Sequence, residues 1–528
     1  MIQQRLLSTA AGVAPRADDD LPTINQQRYI APDASGTAPN GKTVLTLDQA
    51  VDNLTRTGGM WQVHGGNTIT YSFLEHAPTG QYNSDPYLVG LTAEFSPFTA
   101  DQRDAARASI QLWDDLIAPK FVEKNGRGAD IVFMNTGEGG PGQAAAFIPD
   151  YKGKYGKING DVYINANQED NFDLYYGGYG ETTITHEIGH AIGLSHTGDY
   201  NAGDDNDGDG KPDPISYAND AEFFQDSYQY SIMSYFSHGN SGAFGYVNWE
   251  TGGYYQTPQT PMVHDIAAVQ AVYGADLTTR TDNTVYGFNS TLTGSVYDFG
   301  ANKNPFLSIY DAGGNDTLDL SGFTGGRITL DLRPGAFSTG YSYGDAAQLN
   351  EVWGTNFDQA FWNAIYDGRT SNPGFLSDNI GIAYNTTIEN GRTGAGNDVL
   401  LGNDVANKLD AGAGNDNING GKGNDILTGG AGVDAFVVAD KGGVDTITDF
   451  LRGTDKLDLR SFDPDTVTTG DQAMTFIGDT AFSHSAGQVR TYVDHNVNFV
   501  AGDIDGDGVA DFIVNLGQVH LTSSDILL

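Results

Sequence analysis

Gly394-Ala-Gly-Asn-Asp398, Gly412-Ala-Gly-Asn-Asp416, Gly421-Lys-Gly-Asn-Asp425 and Gly430-Ala-Gly-Val-Asp434 are copies of one pattern, with aspartates 18, 9 and 9 residues apart. Asn407 occupies the missing slot, so five nonapeptides run in phase. In each pattern glycine permits a turn at positive φ, and an apolar residue two places after the aspartate points inward: Leu400, Ile418, Leu427 and Phe436. The carbonyls of Gly394, Gly396, Gly412, Gly414, Gly421, Gly423, Gly430 and Gly432 and the carboxylates of Asp398, Asp416, Asp425 and Asp434 form an oxygen-rich array suited to calcium. Two nonapeptides make one coil turn, so the expectation is a parallel β-roll that folds with calcium. A flexible Gly/Asp-rich linker would not hold a nine-residue phase with a buried position in each unit.

Composition agrees with that reading. The 528 residues carry 27 Lys+Arg against 68 Asp+Glu, a net charge of -41, which repels phosphate backbones and anionic membranes. Only 11 of the acids are Glu, and none follows Glu389. Asp suits turns and hard-cation ligation where Glu suits helices. There is no Cys, so neither disulfides nor thiolate chemistry operate, and 70 Gly point to many tight turns. No uncharged apolar stretch reaches spanning length, and Met1 to Asp20 lacks the apolar core of a classical export signal.

Ahead of the repeats the pattern is mixed α/β. Thr99 to Lys124 reads as an amphipathic helix with Thr99 and Gln102 at capping-box spacing. Ala129 to Asn135 reads as an alternating strand, Glu181 to Gly193 as a second helix, and Met262 to Tyr273 as a third. The second helix carries His186-Glu187-Ile-Gly-His190, whose i, i+4 spacing places both imidazoles on one face. Gly193 lets the chain reverse, so that His196 returns as a third ligand for one zinc ion. Three neutral imidazoles leave one position for water, and Glu187 is placed as the general base that takes its proton during attack on a peptide carbonyl.

Ser231-Ile-Met-Ser-Tyr235 follows 39 residues after His196 at its last position. With His186 to His196, Gly198 to Ala202, Tyr286 to Ser290, Asp311 to Asp316 and the nonapeptides, it resembles the metzincins, and within them the serralysins, extracellular calcium-dependent proteases of Gram-negative bacteria whose nonapeptides are RTX repeats. The resemblance implies an α/β metzincin-type protease domain at 21–275. An all-β parallel β-roll with a β-sandwich-like C-terminal part follows at 276–528, and residues 1–20 are a tail or propeptide. It also implies that Met233 floors the zinc site and that Tyr235 ligates zinc at rest and then turns to the oxyanion. Ala144, Ala145 and Ala146, in Gln143 to Pro149, become the edge strand to which an extended substrate adds. Further calcium ligands are implied at Arg280, Asp282, Thr284, Asp311, Gly313 and Asp316, and at Thr387 and Glu389, although Asp282 and Asn283 depart from the family's usual Gly then Asp. Residues 341–378 exceed the usual connection.

Two acidic loops, Asp205-Asp207-Asp209 and Asp503-Asp505-Asp507, fit a calcium-loop pattern without the terminal Glu of an EF-hand. Asp525-Ile-Leu-Leu528 resembles the family's terminal signal for type I export, the alternative being a frayed tail. The reading is therefore a secreted zinc endopeptidase of broad specificity with one zinc and several calcium ions. Its partners are protein or peptide substrates, the type I apparatus and, as a family-type ligand, a protein inhibitor. It is expected as a monomer without nucleic-acid or stable membrane partners. Its rivals are a calcium-binding adhesin or surface-layer module with an inactive protease-like half, and a repeat-bearing lipase, for which no G-x-S-x-G elbow occurs.

Overall fold

The computed structural model describes residues 29–63, 68–80, 82, 86–137, 140–149, 158–201, 213–245, 257–323, 327–341, 376–464 and 472–528. The expected tail at 1–20, the loop bearing Asp205, Asp207 and Asp209, and nearly all of the segment 341–378 lie outside these residues.

In the amino-terminal half five strands form one sheet in the order Lys120–Glu123, Thr68–Phe73, Ile131–Thr136, Asp161–Asn165, Ala144–Ala146. All neighbours are parallel except the last pair, so the three alanines form an antiparallel edge. The strand expected to alternate, Ile131–Thr136, is instead buried at every position because helices cover one face and a second apolar cluster the other. The helix expected to reach Lys124 ends at Asp114. Pro119 removes an N–H and disfavours helical backbone at Ala118, and Asp114 Oδ1 accepts the Phe121 N–H at 2.6 Å to start the strand Lys120–Glu123. At the other end Thr99 makes the capping box, with Gln102 N–H donating to its hydroxyl at 3.2 Å.

The second half coils. Leu400 pairs with Ile418 and Ile418 with Phe436 in one parallel sheet, and Leu409 pairs with Leu427 in the other, each 18 residues on. All five side chains are buried between the two sheets. Gly414 shows why glycine recurs: its φ is +136°, and an added Cβ would lie 1.5 Å from the Gly396 carbonyl oxygen one turn below. The coil is longer than the repeat. Upstream, Leu318 pairs with Gly391, and downstream Ile426 pairs with Thr446 and Phe436 with Leu457, at separations of 20 and 21.

The expected β-sandwich-like C-terminal part is not a separate layer. Its antiparallel strands Gln488–Asp494, Val497–Asp503 and Phe512–Asn515 extend one roll sheet through Val444–Ile447, and Ile526–Leu527 extends the other through Lys456–Asp458. Nor is the terminus frayed, because Asp525 is buried and accepts the Gly453 N–H at 3.0 Å. The halves also share structure. Tyr310 and Ala383 enter the amino-terminal core, Arg280 pairs with Asp115 at 2.6 Å, and Arg333 lies 4.1 Å over the Tyr29 ring.

Candidate active site

The helix Tyr179–Ala191 lies against the sheet through Ile184 and Ile188, packed with Trp113 and Phe133. Its other face carries His186 and His190, whose Nε2 atoms are 3.1 Å apart. His196 brings a third Nε2 to 3.0 Å from that of His190. Each ring is oriented through its other nitrogen: Nδ1 of His186 lies 2.8 Å from the Ile232 carbonyl, that of His190 2.7 Å from Leu194, and that of His196 2.9 Å from Tyr200. Carbonyls only accept, so each Nδ1 holds the proton and each Nε2 offers a lone pair. Three lone pairs facing one another repel unless a cation lies among them, so the donor set fits zinc. Burial holds His186 at about 4 and His196 at about 3, and depresses His190 further, so all three are neutral at pH 7.

The reversal that returns His196 depends on Gly193. Its φ is +114°, and an added Cβ would stand 2.1 Å from the Gly59 carbonyl oxygen. Gly193→Ala is therefore expected to cost at least about 2 kcal/mol through backbone strain and contact, and to lower zinc affinity by displacing His196. Thermal melting and zinc content check this; a variant with wild-type melting and full zinc would contradict it.

Below the helix runs the turn Ser231 to Tyr235. Asp265 fixes it, accepting from the Ser231 hydroxyl and the Ile232 N–H, each at 2.6 Å. Met233 is fully buried, and its Sδ would lie 2.6 Å from a Cβ placed on Gly189, so the side chain fills the space directly beneath the two histidines. The Tyr235 ring is centred 4.4 Å from that of His196 and 6.0 Å from that of His186. Glu187 is buried, with Oε2 unpartnered, and burial raises it to about 8. A dication among the histidines would draw that value down and leave the carboxylate ionised, free to accept a proton. Ala144, Ala145, Ala146, Tyr179, Thr183, Tyr228, Arg56 and Asp199 line the same cleft. The two segments sequence reasoning joined, the helix and the later Tyr235, thus meet around one point, with the alanine edge beside them.

The family described as Peptidase M10 serralysin C terminal matches residues 275–344 and 354–528. Metalloprotease AprA of Pseudomonas entomophila is 37% identical over 504 residues, covering 93% of this chain and 92% of that protein. Serralysin of Photorhabdus luminescens is 35% identical over 470 residues, covering 87% and 84%. Serralysin G of Dickeya chrysanthemi is 34% identical over 503 residues, covering 92% of each. The chain belongs to the serralysin family. It is a zinc metalloendopeptidase, and the readings as an adhesin or a lipase are set aside.

In this serralysin the roll carboxylates share one geometry. Asp398, Asp416, Asp425 and Asp434 each use Oδ1 to accept a backbone N–H from the preceding coil turn, at 2.7 to 3.0 Å. Oδ2 of Asp398, Asp416 and Asp425 is buried and unpaired. A buried carboxylate oxygen without a partner is costly, so these positions fit a hard cation held with the glycine carbonyls. Asp316 repeats the arrangement: Oδ1 accepts from Thr284 N–H at 2.7 Å, Oδ2 is unpaired, and its N–H donates to Glu389 at 2.7 Å. The Asp282 carbonyl lies on the same side of Gly314 as the Asp316 carboxylate, and Asp311 accepts the Gly313 N–H at 2.8 Å. Arg280 spends its guanidinium on Asp115 and the Tyr310 carbonyl, so only its backbone remains for a cation, and Thr387 is exposed. Asp503, Asp505 and Asp507 do converge, but both oxygens of Asp503 already accept N–H groups, from Gly506 and Gly508.

Sequence reasoning missed Asp445, Asp449 and Asp455. Asp445 and Asp455 accept N–H groups from Asp425 and Asp434, and Asp449 accepts from Gly429 and Gly430. Asp445 and Asp455 continue the carboxylate columns at separations of 20 and 21, which a nine-residue spacing steps over. Asp226 and Asp265 were missed as well, since single acids outside a motif carry no spacing signal.

Proposed function

We propose that this serralysin is a secreted, calcium-dependent metzincin-type endopeptidase that cleaves extended protein substrates with broad specificity. The observation that carries the proposal is the convergence of three neutral Nε2 atoms, a buried carboxylate and an open strand edge on one cleft. His186, His190 and His196 would hold the zinc ion, which would supply Lewis acidity to the scissile carbonyl and to the attacking water. Glu187 takes the proton of the attacking water and returns it to the departing amine. Tyr235, whose ring lies beside that of His196, would hold the zinc at rest together with the imidazoles and, turned toward substrate, would hydrogen-bond the developing oxyanion through its hydroxyl. Met233 keeps the floor of the site filled and dry.

The Ala144–Ala146 edge supplies the register for substrate. Asn165 N–H donates to the Gln143 carbonyl and Phe147 N–H to the Asp161 carbonyl, so the odd-numbered residues face the sheet. By alternation the backbone groups of Ala144 and Ala146 face the open edge and can pair with an extended peptide. Methyl side chains there exclude little, which suits broad specificity. Digestion of casein by the purified protein, suppressed by a zinc chelator and restored by zinc, is the expected result; no digestion under calcium-replete conditions would overturn the assignment of substrate.

For the second half we read the columns of buried aspartates as calcium ligands. A chain whose roll lacks cations is held apart by its own charge and stays unfolded, which suits threading through a type I apparatus; calcium outside the cell then folds it. Ile526 and Leu527 of the terminal segment pair into a roll sheet and Asp525 beside them is buried, so the proposed export segment is fully presented only before folding.

A further inference from the structure

We infer that Asp226 is the positioning residue that sets Tyr235 for catalysis, an inference that rests on the role proposed above for Tyr235. Asp226 is fully buried, and one of its oxygens, Oδ1, accepts three hydroxyls: Thr197, Tyr200 at 2.9 Å and Ser234 at 2.7 Å. These residues belong to the two segments that face the metal site. Thr197 follows His196 directly, and the Tyr200 carbonyl receives the Nδ1 proton of His196. Ser234 directly precedes Tyr235.

The backbone on both sides of the Tyr235 side chain hangs from this carboxylate. The N–H of Tyr235 donates to the Tyr200 hydroxyl at 3.4 Å, and the N–H of Phe236 donates to the Ser234 hydroxyl at 3.1 Å. Both hydroxyls hand their own protons to Asp226 Oδ1. Tyr200 also bridges the rings, lying parallel to His196 at 5.8 Å and 11° and centred 5.2 Å from Tyr235. The proposed movement of Tyr235 between zinc and oxyanion requires its Cα to stay in place while the side chain rotates. A charged acceptor gathering both neighbouring hydroxyls provides such a pivot, because bonds to an ionised acceptor are shorter and about twice as strong as neutral ones. A carboxylate at this position therefore couples the loop carrying the third imidazole to the turn carrying the proton donor. This differs from the role of Asp265, which holds the start of the same turn at Ser231 and Ile232.

The test uses Asp226→Asn, which keeps the shape, and Ser234→Ala, which removes only the arm leading to Tyr235. Each is made in the wild-type protein and in Tyr235→Phe, with kcat and KM measured on a quenched fluorescent peptide in calcium and with zinc content determined. Asp226→Asn is expected to lower kcat by about tenfold or more, the scale of one lost hydrogen bond to a charged group, with KM within about twofold and zinc retained. Ser234→Ala is expected to lower kcat in the same direction. Both effects should largely disappear in the Tyr235→Phe background, since a positioning residue has nothing left to position. Losses that multiply with that of Tyr235→Phe, or that track zinc loss, would overturn the inference while leaving the role of Tyr235 intact. Full kcat in Tyr235→Phe alone would instead overturn the role of Tyr235, and the inference with it. Should Asp226→Asn fail to fold, Ser234→Ala decides the question by the same comparison.

Discussion

Glu187→Gln is expected to reduce kcat for peptide hydrolysis by about 10²–10⁴-fold, the range of a positioned general base, with zinc still bound and KM little changed. The amide fills the same volume but has no basic oxygen to take the proton of water. The three imidazoles are oriented through Ile232, Leu194 and Tyr200, and none of these contacts involves Glu187, so the metal site should persist. Stability should move the other way. A carboxyl raised by burial to about 8 is protonated in the folded, metal-free protein and costs folding free energy as pH rises toward 8. A neutral amide removes that cost, so the metal-free variant should melt above the metal-free wild type at pH 8. Kinetics with a quenched peptide, zinc content and calorimetry check the three parts. Retained activity in Glu187→Gln would remove Glu187 from the mechanism.

Chelation of calcium is expected to unfold the coil at pH 8 and to leave it much less affected at pH 5. Burial raises Asp398 and Asp434 to about 6, Asp425 to about 7 and Asp416 to about 8, from an ordinary value near 3.8. A group whose folded value is raised contributes stability that is fully present below its unfolded value and is lost as pH rises through the folded value. For the calcium-free roll that loss runs from about pH 4 to about pH 8 and accumulates over several aspartates. With calcium bound the ionised forms would be the ligands, and the dependence would reverse. In a chelator, the melting temperature at pH 8 should fall below that at pH 5 by on the order of 10 °C or more. Far-UV circular dichroism at 25 °C should show lost β signal with much of the helical signal from Ala100–Asp114, Tyr179–Ala191 and Val263–Tyr273 remaining. Equal calcium-free melting at the two pH values would remove the buried aspartates as the cause. The shared contacts through Tyr310, Ala383 and the Arg280–Asp115 pair make some loosening of the amino-terminal half an expected companion.

The metal-binding helix was legible because its information is local. Two histidines four residues apart share a face whatever the helix packs against, and a glycine that tolerates φ of +114° announces the reversal. The nonapeptides were legible for the same reason, since period, turn residue and inward residue all fall within nine positions. Where the coil departs from that period, at Asp445 and Asp455, the sequence signal vanishes although the geometry continues. The over-long helix to Lys124 came from following apolar spacing past Pro119, where backbone sterics decide.

By itself, then, the sequence determined the reaction class, the candidate zinc donors, the candidate general base and the coil, each a property of short-range spacing. Only the tertiary structure decided that the C-terminal strands continue both roll sheets, that Ile526 and Leu527 pair into one of them, and that Asp226 joins the loop after His196 to the turn carrying Tyr235. Those features depend on contacts between segments 8 to 72 residues apart. Long-range contacts of this kind are selected by packing and by the need to satisfy buried polar groups, and neither condition leaves a periodic trace along the chain.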